Sequence, residues 1–133
     1  MSMHYMKETQ MMRVTVQPVY LEEQSDPDKS YYVWAYHIRI ENNREDTVTL
    51  VGRHWSITDA NGVVQEMKGK GVVGEQPVLV PGAAFEYVSG TPLHTCSGFM
   101  LGRYKMVSEG GETFHVDIPG FSLDIPHQPR SIN

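Results

Sequence analysis

Tyr32, Trp34, Tyr36, Ile38 and Ile40 take every second position of the stretch YYVWAYHIRIEN, with Val33, Ala35, His37 and Arg39 between them. Alternation of that length predicts a long central strand with one face against a core. RVTVQPVYL, from Arg13 to Leu21, alternates too, and Pro18 inside it points to an edge strand or a bulge. In TVTLVGRHWSITD, from Thr47 to Asp59, Val48 and Leu50 hold one parity while Trp55 and Ile57 hold the other. Such a change needs an extra residue, and Gly52 is the natural place for a bulge.

Turn chemistry separates these runs. EEQSDPDKS, Glu22 to Ser30, reads as a loop, and Asp59 to Gly62, DANG, reads as a hairpin turn. VVQEMKG returns from that turn, and PGAAFEYVSG opens on a Pro-Gly turn before another short strand. SGFMLGRYKMVSE is expected to change parity between Leu101 and Tyr104, beside Gly102. ETFHVDI and FSLDI close the pattern as two strands separated by Pro119-Gly120. No stretch carries a helical stripe clear of Gly, Pro or β-branched clusters. Short strands at this spacing predict an all-β sandwich of about seven or more antiparallel strands.

Composition narrows the function classes. With 133 residues the chain is the size of one domain, and its 11 basic against 16 acidic residues give a net charge of -5. That balance argues against sequence-independent binding of nucleic acid, which needs surplus Lys and Arg to displace counterions. Nothing approaches the 18 or so continuous apolar residues of a membrane span. The start, MSMHYMKETQMM, lacks the basic and apolar regions of a signal peptide, so a cytoplasmic location is expected. Cys96 is the single cysteine, which allows no intrachain disulfide and reads as a small buried hydrophobe.

GKGVVG, Gly69 to Gly74, has the glycine spacing of a dinucleotide-binding loop. That chemistry needs a helix to open after the loop and an acidic residue about 20 positions on. Here Pro77 and the Val78-Leu79-Val80 run prevent the helix, and Tyr87 to Ser108 contains no Asp or Glu. What remains is a candidate anion-binding nest of backbone N–H groups at Gly69, Gly71 and Gly74, with Lys70 and Lys68 beside it. The competing reading gives these glycines a purely conformational role in a turn or bulge.

The six histidines show no metal-binding spacing, so no metal site and no cofactor are expected. In RHWSITD, strand geometry puts His54 and Ser56 on one face and Arg53, Trp55 and Ile57 on the other, so no triad converges. No catalytic residues are assigned.

The run R-H-W-x-I-T-D followed by G-x-G-V-V-G-x-Q-P, together with flanking sequence from about Val14 to Pro126, closely resembles the bacterial ApaG proteins. The resemblance implies an immunoglobulin- or fibronectin type III-like β-sandwich, placed here over 13–126; the residues outside it read as a flexible N-terminal segment, 1–12, and a loose tail, 127–133. It also implies an association with cobalt resistance and magnesium efflux, and proximity to the enzyme that cleaves diadenosine tetraphosphate. Similar domains occur in F-box proteins and in a polymerase-delta-interacting protein, where an adaptor role fits. The family's glycine motif, proposed as a pyrophosphate site, falls here on Gly69, Gly71 and Gly74. The expectation is a non-catalytic module that binds a protein partner, with self-pairing through sandwich edges open to it. The alternative is a nucleotide or polyphosphate binder that uses the glycine loop.

Overall fold

The structure, a computed structural model, describes residues 4–126; the tail expected over 127–133 lies outside the described residues. Among the described residues nine strands form: β1 (Tyr5–Thr9), β2 (Met12–Tyr20), β3 (Tyr32–Asn42), β4 (Val48–Asp59), β5 (Val64–Lys70), β6 (Val78–Leu79), β7 (Ala84–Leu93), β8 (Ser97–Ser108) and β9 (Thr113–Asp124). They make two antiparallel sheets, ordered β1-β2-β3-β7 and β5-β4-β8-β9, with β6 paired to the far end of β4. The all-β sandwich expected from the alternation is present. Its helical content among the described residues is two 3-10 turns in the loop between β2 and β3. No described helix is long and apolar enough to cross a membrane.

The alternation in β3 sorts as its sequence requires. Trp34, Tyr36, Ile38 and Ile40 are buried, while the positions between them are partly or fully exposed. They meet Leu50, Trp55, Tyr104, Met106, Phe121 and Leu123 from the second sheet in one continuous core. Each large side chain so enclosed stabilises the fold by about 1.5–3 kcal/mol relative to exposure. Pro18 sits on β2 beyond Val16, the last residue that β1 covers, so its missing N–H leaves no gap on that side. The pairing of β4 with β8 slips between Leu50 and Gly52, which places the predicted bulge and turns Trp55 and Ile57 inward.

Three expectations need correction. Residues 1–12 do not form a flexible segment throughout: Tyr5–Thr9 is a strand, and Met12 is fully buried. The β1–β2 turn uses Gln10 (φ 48°) and Met11 (φ 65°), a left-handed pair usually filled by Asn and Gly. It is held by Asn43 N–H donating to the Met11 carbonyl (2.9 Å) and by Arg44 donating to that of Gln10 (3.2 Å). Next, β8 keeps one parity throughout, and Leu101 points outward; the extra residue lies on β9 at Pro119-Gly120, inside one strand rather than between two. Finally, Cys96 is only half-buried, because it falls in the surface connection between β7 and β8.

Where the sheets face each other, the Tyr87 and Tyr104 hydroxyls share a hydrogen bond of 2.5 Å. Burial pushes the Tyr104 phenol well above its ordinary value and raises those of Tyr87 and Tyr36 as well. A released tyrosine ionises near pH 10, so the unfolded chain sheds this proton first. The stabilisation is complete below about pH 10. Above it, Tyr104 alone should remove about 1.4 kcal/mol per pH unit. Urea unfolding at pH 9.5 and pH 11 checks this, and Tyr104→Phe should make the decline shallower.

Candidate functional site

The glycine loop is built from the edge inward. Gly69 pairs with Arg53 across β4 and β5. The Arg53 guanidinium lies against Gly69, 2.6 Å from where a Cβ would stand, and donates to the carbonyls of Lys70 (3.1 Å) and Gly71 (2.9 Å). Gly71 has φ +58°, and its N–H donates to Val51. Val72 is fully buried and exchanges two 2.8 Å hydrogen bonds with Glu75, which closes a two-residue hairpin over Val73 (φ 43°) and Gly74 (φ 81°). The N–H groups of Gly71, Val72 and Glu75 are thus engaged within the protein. The loop's carbonyls, not its amides, meet the nearest cation, Arg53.

The more open chemistry lies beside the loop. On the outer face of the second sheet, cross-strand register sets Lys70, Gly52, Lys105 and His115 in one row, and Lys68, His54, Arg103 and Asp117 in the next. Gly52 contributes no side chain, and a hollow of about 240 Å³ opens there, lined by Gly52, His54, Lys68, Arg103, Lys105 and His115 among others. Two acids border it, and both have partners: Glu66 lies 2.9 Å from the His54 ring, and Asp117 lies 3.1 Å from the Lys7 ammonium.

Most cations elsewhere are paired. Arg13 meets Glu8, Arg39 meets Glu41 and Glu86, and Arg44 meets Asp46. Among the described residues, Lys68, Lys70, Arg103 and Lys105, together with the isolated Lys29 in the loop between β2 and β3, have neither an ion-pair nor a side-chain hydrogen-bond partner. Of the candidate residues read from sequence, Gly69 lines this hollow, Lys70 stands in register beside Gly52, and Gly71 and Gly74 shape the hairpin beyond it. Arg103, Lys105 and His115 were missed. The available signal was cations at strand period 2, K-x-K at 68–70 and R-x-K at 103–105.

Farther along β8 the outward face turns apolar. Phe99 is 41% exposed and lies over Gly120, 2.7 Å from where a Cβ would stand. Leu101 is 48% exposed, and Val64 is exposed nearby on β5. In RHWSITD, His54 engages Glu66, Asp59 accepts from the N–H groups of Asn61 and Val63 at the hairpin, and no hydrogen bond joins Ser56 to the His54 ring. Among the described residues, no group of three or more His, Cys, Asp or Glu is placed to hold a metal ion.

A family model described as the ApaG domain matches residues 22–108. Protein ApaG of Rhodospirillum centenum is 62% identical over 123 residues, covering 92% of this chain and 95% of that protein. Protein ApaG of Brucella anthropi is 57% identical over 129 residues, covering 97% and 99%. Among solved structures, one from Bordetella pertussis described as an ApaA protein superposes with a TM-score of 0.85 at 46% identity, covering 93% of this chain and 98% of that one.

Proposed function

The chain belongs to the ApaG domain family, and we propose that it is a non-catalytic binding module that docks a partner protein on the outer face of its second sheet. One observation carries this reading: the outward row of β8 runs Phe99, Leu101, Arg103, Lys105, two exposed apolar side chains followed by two cations without partners. Outward positions of a sheet are ordinarily polar, with charges solvated or ion-paired; half of this row is apolar and exposed, and its two charges have no partner. The complementary occupant is a partner segment with apolar side chains followed by acidic ones. Its charge would also meet the basic hollow, against the acidic balance of the chain as a whole. On this reading, any role in cobalt resistance or magnesium efflux runs through the partner.

Lysine-directed cross-linking in lysate, followed by mapping of the linked peptides, tests the face. Cross-links to one partner from Lys68, Lys70 and Lys105, without those from Lys29, are expected. Leu101→Glu should weaken that partner's binding by tenfold or more while leaving the circular dichroism spectrum unchanged. Links from Lys29 alone, or equal binding by Leu101→Glu, would overturn the proposal.

A nucleotide-binding reading through the glycine loop is less well supported, because the loop amides of Gly71, Val72 and Glu75 already have acceptors.

A further inference from the structure

We propose that the hollow over Gly52 is a binding site for a phosphoryl dianion. Lys68 and Lys70 stand on β5, Arg103 and Lys105 on β8, and β4 runs between them with Gly52 and His54 facing outward. Strands lie about 4.8 Å apart and alternate residues about 7 Å apart, so the four cations mark a rectangle of about 10 by 7 Å. Its centre lies over β4, where Lys68, Arg103 and Lys105 line the hollow and Lys70 stands in register opposite Gly52. Gly52 leaves the floor open there: a Cβ would stand 3.5 Å from the Gly69 carbonyl and 3.6 Å from Cβ of Lys105, in ordinary contact.

Placing like charges close together on a sheet is destabilising. This chain carries 16 acidic residues, yet both acids at the border of the rectangle are turned to other partners, Glu66 to His54 and Asp117 to Lys7. The four cations are left for something outside the chain. A dianion offsets two charges where a carboxylate offsets one, and the Arg103 fork suits two oxygens of a tetrahedral group. Size sets the limit. The hollow, at about 240 Å³, falls below the roughly 300–1,000 Å³ that enclose a drug-sized ligand. It takes one phosphoryl group, or the end of a phosphoanhydride, and not a whole nucleotide. A run of nucleic-acid phosphates would leave the rectangle within one or two residues and meet the acidic remainder of the surface.

The site shares Arg103 and Lys105 with the docking face but does not depend on it, since it is read on the isolated protein. Inorganic phosphate and, separately, pyrophosphate are titrated into the full chain at low ionic strength and followed by backbone amide NMR. Saturable shifts are expected at Gly52, His54, Lys68, Arg103 and Lys105, weakening as salt is added. Arg103→Gln with Lys105→Gln should weaken binding at least tenfold, and Gly52→Val should abolish it by filling the floor. Leu101→Glu should leave it intact, so the docking proposal and this one can fail separately. Tighter binding of pyrophosphate would assign the site to a phosphoanhydride end, and equal or tighter binding of phosphate to a lone phosphoryl group. Shifts confined to Val73 and Gly74, shifts that do not saturate, or binding unchanged in the double variant would overturn the proposal.

Discussion

Replacing Trp55 with alanine should cost the fold about 3–5 kcal/mol, the range for removing a large aromatic from a packed core. The residue is 2% exposed and lies at the meeting of the two sheets. Its ring centroid is 5.3 Å from that of Tyr36 in the first sheet and 6.1 Å, edge to face, from that of Phe121 on β9. Gly102 gives it room from the second sheet: a Cβ there would stand 3.1 Å from the indole and 2.4 Å from the His54 carbonyl. Both aromatic partners would face a void, because the backbones of two paired sheets cannot close over it. A domain of this size commonly has 5–15 kcal/mol of stability in all. Chemical denaturation should therefore show a midpoint falling by about half, or a chain that no longer folds. A shift of under 1 kcal/mol would remove Trp55 from the centre of the core.

The second large effect concerns Gly71→Val, expected to cost about 3 kcal/mol. At φ +58° a β-branched residue is strained by roughly 1–2 kcal/mol before any contact is considered. The added Cβ would stand 1.9 Å from the Glu75 carbonyl oxygen, which already accepts the Val72 N–H. The hairpin must move, and Val72, fully buried beside it, moves with it. Gly74→Ala is the control. It has a left-handed φ of +81° but nothing within 4 Å of the new Cβ, so only the backbone penalty of about 1 kcal/mol applies. Thermal melts of both variants separate the two costs. Equal losses would mean that the Glu75 contact does not decide the role of Gly71.

The residues that made the fold legible are those whose neighbours impose a period. Tyr32 to Ile40 alternate because one face of β3 is enclosed, and the parity change around Gly52 marks a bulge because Trp55 has to turn inward. Where the constraint comes from elsewhere, the pattern is silent. β1 buries neither face completely, and its turn uses Gln10-Met11 in place of Asn-Gly, so neither alternation nor turn chemistry announces it. Pro119-Gly120 looks like a break, yet it is a bulge inside β9, with Phe99 lying over the glycine. The basic hollow is hidden for another reason. Each strand contributes only two cations, and only the placement of β4 between β5 and β8 assembles the four.

The N-terminal hairpin also fixes an order of events. Thr9 accepts a hydrogen bond from the Asp117 amide across 108 positions of chain, Lys7 pairs with the same residue's carboxylate, and the Tyr5 ring lies 5.9 Å from that of Phe121. The earliest strand therefore finishes one side of the sandwich only by meeting the latest one. Loop closure over that span must come before its contacts can reward it. On the ribosome, where chains grow by about 5–20 residues per second, β1 and β2 emerge long before β9 exists to receive them. Until then the inward row of β2, Met12, Val14 and Val16, has no β9 to cover it. That interval of exposed strand is when the nascent chain is most open to mispairing or to capture by a chaperone.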